Sequence, residues 1–215
     1  MDELELLKKQ WHRQEEDLPH LSYGDIYKML LKKSSSIVKW IFFISIGEII
    51  FWTALAFLMP ESSQKFTDDI GLHNVLLVFN ILYYVVFAIF IFLFYRNYLK
   101  ISTTDSVREL MKNILRTRKT VKYYIIYNVV TTCIMLIGIN IFYYFNQDLM
   151  LEIMIKDNLI SASTDKGQFL TMFFITQLVL AVLVIVGILI FYRIIYGILL
   201  KRLHSNYQEL KKIEL

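Results

Sequence analysis

Apolar residues gather in four long runs, at 37–59, 74–95, 123–145 and 169–192, of 23, 22, 23 and 24 residues. A bilayer core about 30 Å thick takes roughly 20 such residues in a helix. The last three runs contain no Asp, Glu, Lys or Arg, and the first contains only Lys39 and Glu48. A soluble helix buried on one face keeps a polar stripe on the other, and these runs keep none. The pattern therefore predicts an all-α protein, an integral membrane bundle of four transmembrane helices. The first run follows 36 mostly polar residues and is too long for the core of a cleavable signal, so it is expected to be an uncleaved anchor.

The polar segments between the runs set the organisation. The chain divides into an N-terminal amphipathic segment (1–36), a two-span unit (37–95), a basic amphipathic helix (96–122), a second two-span unit (123–192) and a C-terminal helix (193–215). The segment 96–122 holds eight Lys or Arg, whereas 60–73 holds Lys65 alone and 146–168 holds only Lys156 and Lys166. Basic loops stay in the cytoplasm. Both termini and the middle segment are thus expected inside, and the other two loops outside. The net charge of +4 reflects this topology and gives no reason to expect a nucleic-acid partner. No polar segment exceeds 36 residues, below the length that buries enough surface to fold alone, so an appended soluble domain is not expected.

The two units resemble one another. Span two ends with Phe94, Tyr95 and Arg96, and span four with Phe191, Tyr192 and Arg193; Lys39-Trp40 opens span one and Lys122-Tyr123 opens span three. Ser22/Asp25 and Ser102/Asp105 precede them as expected helix N-caps. This spacing suggests a two-span tandem repeat. It places Glu48 level with Thr131, and Asn80 with Gln177. All four then fall near mid-membrane, as one intramembrane polar layer. Asn128 and Asn140 read as local packing. The Tyr and Phe clusters at span ends, including Tyr123/Tyr124 and 142–145, read as interfacial belts.

Glu48 is the sharpest of these residues. A carboxyl at mid-bilayer costs at least ~2.5 kcal/mol and faces the bundle interior. In its protonated form it could donate to Asn80 or Gln177, joining helices. A proton or cation role is the second reading, and contact with another subunit or protein, including a homo-oligomer, is the third. Catalysis finds no footing: no catalytic, cofactor-binding or metal-ligating set is expected. The four His (His12, His20, His73, His204) lie outside the runs, so neither a bis-His haem nor a di-iron centre built on His clusters can sit within them. No phosphate loop or His-Glu-x-x-His motif occurs. Cys133 is the single cysteine, which excludes internal disulfides.

Outside the spans, Val107, Leu110, Met111, Ile114 and Leu115 form one helical stripe among basic residues that include Arg116 and Lys119. Ile26, Met29 and Leu30 echo it. Such a surface suits membrane lipid or a cytoplasmic protein partner; packing among these helices is the remaining choice. Leu4, Leu6, Leu7 and Trp11 suggest a short N-terminal recognition helix.

The stretches from Glu3 to Trp11 and from Lys32 to Trp40 resemble a group of uncharacterised bacterial four-span inner-membrane proteins. That resemblance implies a multi-pass protein of the inner membrane. Its members' association with alternative sigma factors implies a regulatory partner of anti-sigma type, although this chain lacks the His/Cys pattern of zinc anti-sigma domains. A carotene-oxygenase activity, attached to some members, conflicts with the absence of His from the spans. The function expected is non-enzymatic: a regulatory or scaffolding membrane protein presenting cytoplasmic helices to a partner. The alternative is a small carrier or channel subunit using Glu48. A water-accessible cavity reaching Glu48 would favour the carrier, and a sealed carboxyl the scaffold.

Overall fold

The computed structural model describes residues 22–161 and 163–214, so the suggested N-terminal recognition helix, with Leu4, Leu6, Leu7 and Trp11, lies outside the described residues. Six helices follow in order: α1 (Tyr23–Phe57), α2 (Glu61–Asp69), α3 (His73–Ser102), α4 (Val107–Phe145), α5 (Gln147–Lys156) and α6 (Lys166–Glu214). Among the described residues there is no strand. The fold is all-α, and α1, α3, α4 and α6 are long and apolar enough to cross a membrane.

Local chemistry sets where the helices start and stop. Ser22 caps α1 with a full capping box, its side chain accepting from the Asp25 amide while Asp25 bonds back to Ser22. Pro60 lacks the N–H that a continuing α1 would need and stands at the start of α2. Gly71 turns α2 into α3 at φ 82, a conformation that favours glycine.

Two boundaries differ from the sequence reading. The second N-cap is Ser106, which accepts from the Glu109 amide. Ser102 is instead the last residue of α3 and donates to its own helix at Leu99. The segment 96–122 is also not a helix of its own. Its first part completes α3, a turn follows, and the remainder opens α4, which runs on through the third apolar run for 39 residues without a break. Nothing in the sequence marks an interruption near residue 122, so propagation, the cheap step of helix formation, continues.

The long helices form a ring in the order α1, α3, α4, α6, and α1 and α4 also touch across it. Positions 83 apart on α1 and α4 bury alike: Ser34/Thr117, Val38/Val121, Ile41/Tyr124 and Ser45/Asn128 all face inward. On α3 and α6 the spacing of 97 does not hold in this way. Phe94 and Tyr192 are buried, whereas their counterparts Phe191 and Tyr95 are exposed.

Two cores result. The larger lies towards the end that carries residues 23–36, 96–122 and 193–214, here the basic end, and includes Leu30, Ile101, Leu110, Ile114, Leu203 and Leu210. The smaller closes the opposite end around Ile70, Leu72, Met150 and Ile153. There an ion pair, Lys65 to Asp157 at 3.1 Å, joins the two connecting segments.

Candidate functional site: a carboxyl held by three tyrosines

Glu48 sits on the inner face of α1, four and seven residues after Ile44 and Ile41, and is 7% exposed. Three tyrosine hydroxyls surround it. Tyr124 of α4 donates to Oε2 at 2.8 Å, Tyr196 of α6 donates to the same oxygen at 3.3 Å, and Tyr192 of α6 donates to Oε1. Tyr192 and Tyr196 are four residues apart and so share one face of α6. The rings pack as well as bond: Phe87, Phe90 and Phe94 of α3 meet the Tyr124 ring with centroids 6.1, 5.4 and 5.4 Å away. Side chains of α1, α4 and α6 thus meet at this one carboxyl, and α3 closes over the Tyr124 ring.

A buried carboxyl without partners would be strongly destabilising. Here each oxygen has at least one hydroxyl partner. Even a protonated Glu48 could donate only one of the three bonds, so at least two come from tyrosines. The site acts mainly as a hydrogen-bond acceptor.

A second polar link lies one turn further along. Tyr83 of α3 donates to Asn128 Oδ1 at 2.9 Å, and Asn128 Nδ2 donates to the Tyr124 carbonyl at 2.9 Å. Asn128 thus ties α3 to α4 rather than serving local packing alone. The Tyr84 hydroxyl meets Thr53 of α1 at 3.1 Å.

The polar layer expected from the sequence does not assemble. Asn80 is exposed and donates to the Leu76 carbonyl of its own helix at 2.8 Å. Thr131 and Gln177 are half-buried. The reason is axial stagger. Glu48 is the midpoint of the first apolar run, yet its partners Tyr124 and Tyr192 stand at the basic ends of the third and fourth. Gln177 is 15 residues from Tyr192 along α6, which at about 1.5 Å per residue is ~22 Å away. By the same rise Thr131 is about 10 Å beyond Tyr124. Tyr124, read from the sequence as part of an interfacial belt, is fully buried. Apart from Glu48 itself, the sequence signal for this cage is the four-residue spacing of Tyr192 and Tyr196.

The amphipathic stripe is also placed differently from a partner or lipid surface. Leu110 and Ile114 are fully buried, packed in the core with Leu30, Leu203 and Leu210, and Val107 and Met111 pack against that core. Water at the basic end drives this burial, and three other helices offer apolar faces to receive it. Leu115, Arg116 and Lys119 remain exposed. Polar contacts lock the same region: Tyr27 donates to the Thr104 carbonyl at 2.7 Å, Asn206 to Ser34 at 3.0 Å and Asn97 to Thr120 at 3.1 Å. Arg118, which can only donate, bonds His204 Nδ1 at 2.8 Å.

A family model described as Domain of unknown function (DUF8845) matches residues 24–215. The chain belongs to that family. The DUF8845 match takes in all four long helices except Tyr23, and every residue of the tyrosine cage. No curated protein and no solved structure matches the chain.

One groove lies nearby without reaching the cage. It has a volume of about 530 Å³ between α4 and α6, and its walls are formed by Cys133, Leu136, Ile137, Leu178 and Ile185 among others. Glu48 and its three tyrosines are not among its lining residues. Among the described residues no three His, Cys, Asp or Glu side chains converge as a metal site.

Proposed function

We propose that this chain is a non-enzymatic inner-membrane scaffold or regulator, with its basic end in the cytoplasm and presented to a protein partner. One observation carries the reading. All four long helices run past their apolar runs into a shared bundle with its own buried core, around Leu30, Leu110, Ile114, Leu203 and Leu210. A carrier needs a path through the membrane, and nothing about such a path calls for a packed bundle beyond it. Enclosure of Glu48 by Tyr124, Tyr192 and Tyr196 supports the same reading, because the carboxyl a carrier would use has its oxygens occupied. The excess of Lys and Arg at this end supports the cytoplasmic orientation. With Leu110 and Ile114 buried, the face left for a partner is the exposed line of Leu115, Lys119 and Tyr123, whose Lys119 ammonium lies 5.7 Å from the Tyr123 ring.

Affinity purification from native membranes tests this. The unaltered protein should retain one protein in fixed proportion, and Leu115→Ser with Lys119→Glu should release it without changing the elution volume of the bundle. Retention by the variant, together with proton or cation flux in proteoliposomes that Glu48→Gln abolishes, would replace the scaffold with the carrier. For orientation, a Cys133→Ser background with single cysteines at Ser63 or Ser161 should react with an impermeant reagent from outside intact cells. A cysteine at Ser102 should not.

A further inference from the structure

The turn between α3 and α4 encloses a second cavity, of about 340 Å³. Lys100 comes from the last turns of α3, and Lys112 and Arg116 are four residues apart on one face of α4. Two nearly buried polar side chains, Thr104 and Asn113, belong to the lining. Asn113 Nδ2 donates to Thr104 Oγ1 at 3.0 Å and to the Lys100 carbonyl at 3.2 Å, so the turn is held in shape from within. The one acid in the lining is Glu109. Three cations thus face one carboxylate. Among the described residues none of the three forms an ion pair; the two ion pairs found there, Lys65–Asp157 and His73–Asp68, lie at the opposite end.

We infer that this cavity binds a phosphate group, held by Lys100, Lys112 and Arg116. Ammonium groups supply charge to a phosphate, and a guanidinium supplies two parallel N–H donors. The volume falls within the range of small-ligand sites. The charges are also poorly satisfied without a guest: the ammonium of Lys100 is held below its usual range, first by the guanidinium of Arg116 and then by desolvation. An anion between them relieves that repulsion. Lys100 lies five residues past Tyr95, about 7.5 Å beyond the end of the second apolar run, which is headgroup depth. The phosphate can come from an anionic phospholipid or from a free phosphate.

The test uses the full-length protein purified in detergent. It is titrated with short-chain phosphatidylglycerol, with short-chain phosphatidylcholine, and with inorganic phosphate, reading thermal midpoint and ligand retained in native mass spectrometry. Phosphatidylglycerol should raise the midpoint and remain bound, and phosphatidylcholine should do neither. Lys100→Gln with Arg116→Gln should weaken binding by roughly tenfold or more, the scale of lost charge-assisted bonds. Glu109→Gln should strengthen it, which no general destabilisation would imitate. An equal response to inorganic phosphate would identify a free phosphate as the source and leave the site as assigned. Equal binding of phosphatidylcholine, or unchanged binding by both variants, would overturn the assignment.

Discussion

The two halves of the bundle are packed differently. Towards the basic end, side chains from all four long helices are fully buried, among them Ile41, Phe94, Tyr124 and Tyr196, then Leu110, Ile114, Leu203 and Leu210 further out. In the other half, residues 49–57, 73–86, 129–145 and 166–191 contain no buried side chain. At the far end Leu76, Phe142 and Phe173 pack on the small core around Met150; the rest of the apolar surface is left to lipid and to the groove beside Cys133. The physics differs between the halves. Lipid tails are as apolar as leucine, so hydrophobic burial gives spans little reason to close on one another. Beyond the spans water is present, and each square ångström of apolar surface removed from it contributes about 25 cal/mol. Most of the buried core therefore lies at and beyond the Glu48 cage, with the smaller cluster around Met150 beyond the other end of the spans.

The largest expected effect comes from the core outside the spans. Leu110→Ser with Ile114→Ser should unfold the basic end, since truncating a fully buried Leu or Ile costs ~2–5 kcal/mol. Limited proteolysis in detergent should then cut within 96–122. The same exchange at Ile137 and Leu178, which line the groove, should leave the digest unchanged; equal damage there would erase the contrast between the halves.

Glu48→Leu should come next. It leaves three hydroxyls without their acceptor, at ~0.6–2 kcal/mol per interhelical bond, and should lower the thermal midpoint in detergent. Glu48→Gln keeps an acceptor oxygen and should lie closer to the unaltered protein. A Gln variant as damaged as the Leu variant would show that the cage requires a carboxyl itself. Smaller again, Ile137→Ala and Leu178→Ala should each shift stability by less than about 1 kcal/mol, because both side chains are largely exposed. Lys65→Ala, which removes an exposed ion pair to Asp157, should produce no resolvable change in thermal midpoint.

Much of the fold was legible in the sequence because its signal is composition. Four uniformly apolar runs of helical length admit one reading, and the structure carries four helices over them. The cap at Ser22 followed from its acid three residues on. The second cap was misplaced because Ser102/Asp105 and Ser106/Glu109 carry the same Ser-x-x-acid signature four residues apart, and only the path of α3 decides between them. The cage was less legible. Glu48 stood out as a lone carboxyl, but its partners depend on how far each helix is shifted along its neighbours, and apolar runs carry little information about such shifts. Equal depth within each run was the natural assumption, and it selected Asn80, Thr131 and Gln177 over Tyr124, Tyr192 and Tyr196. Tyrosines at the ends of apolar runs resemble a headgroup girdle whether they face lipid or a buried acid.

The cage itself is tested most directly by a double-mutant cycle between Glu48 and Tyr192, whose hydroxyl bonds Oε1. Reversible unfolding of the purified protein would be followed for the unaltered chain, Glu48→Leu, Tyr192→Phe and the pair combined. Direct contact across α1 and α6 should make the combined loss smaller than the sum of the single losses, by about 0.6–2 kcal/mol. Strict additivity would mean that the two side chains do not meet, and that the helices are registered differently from the arrangement in which three tyrosines close over Glu48.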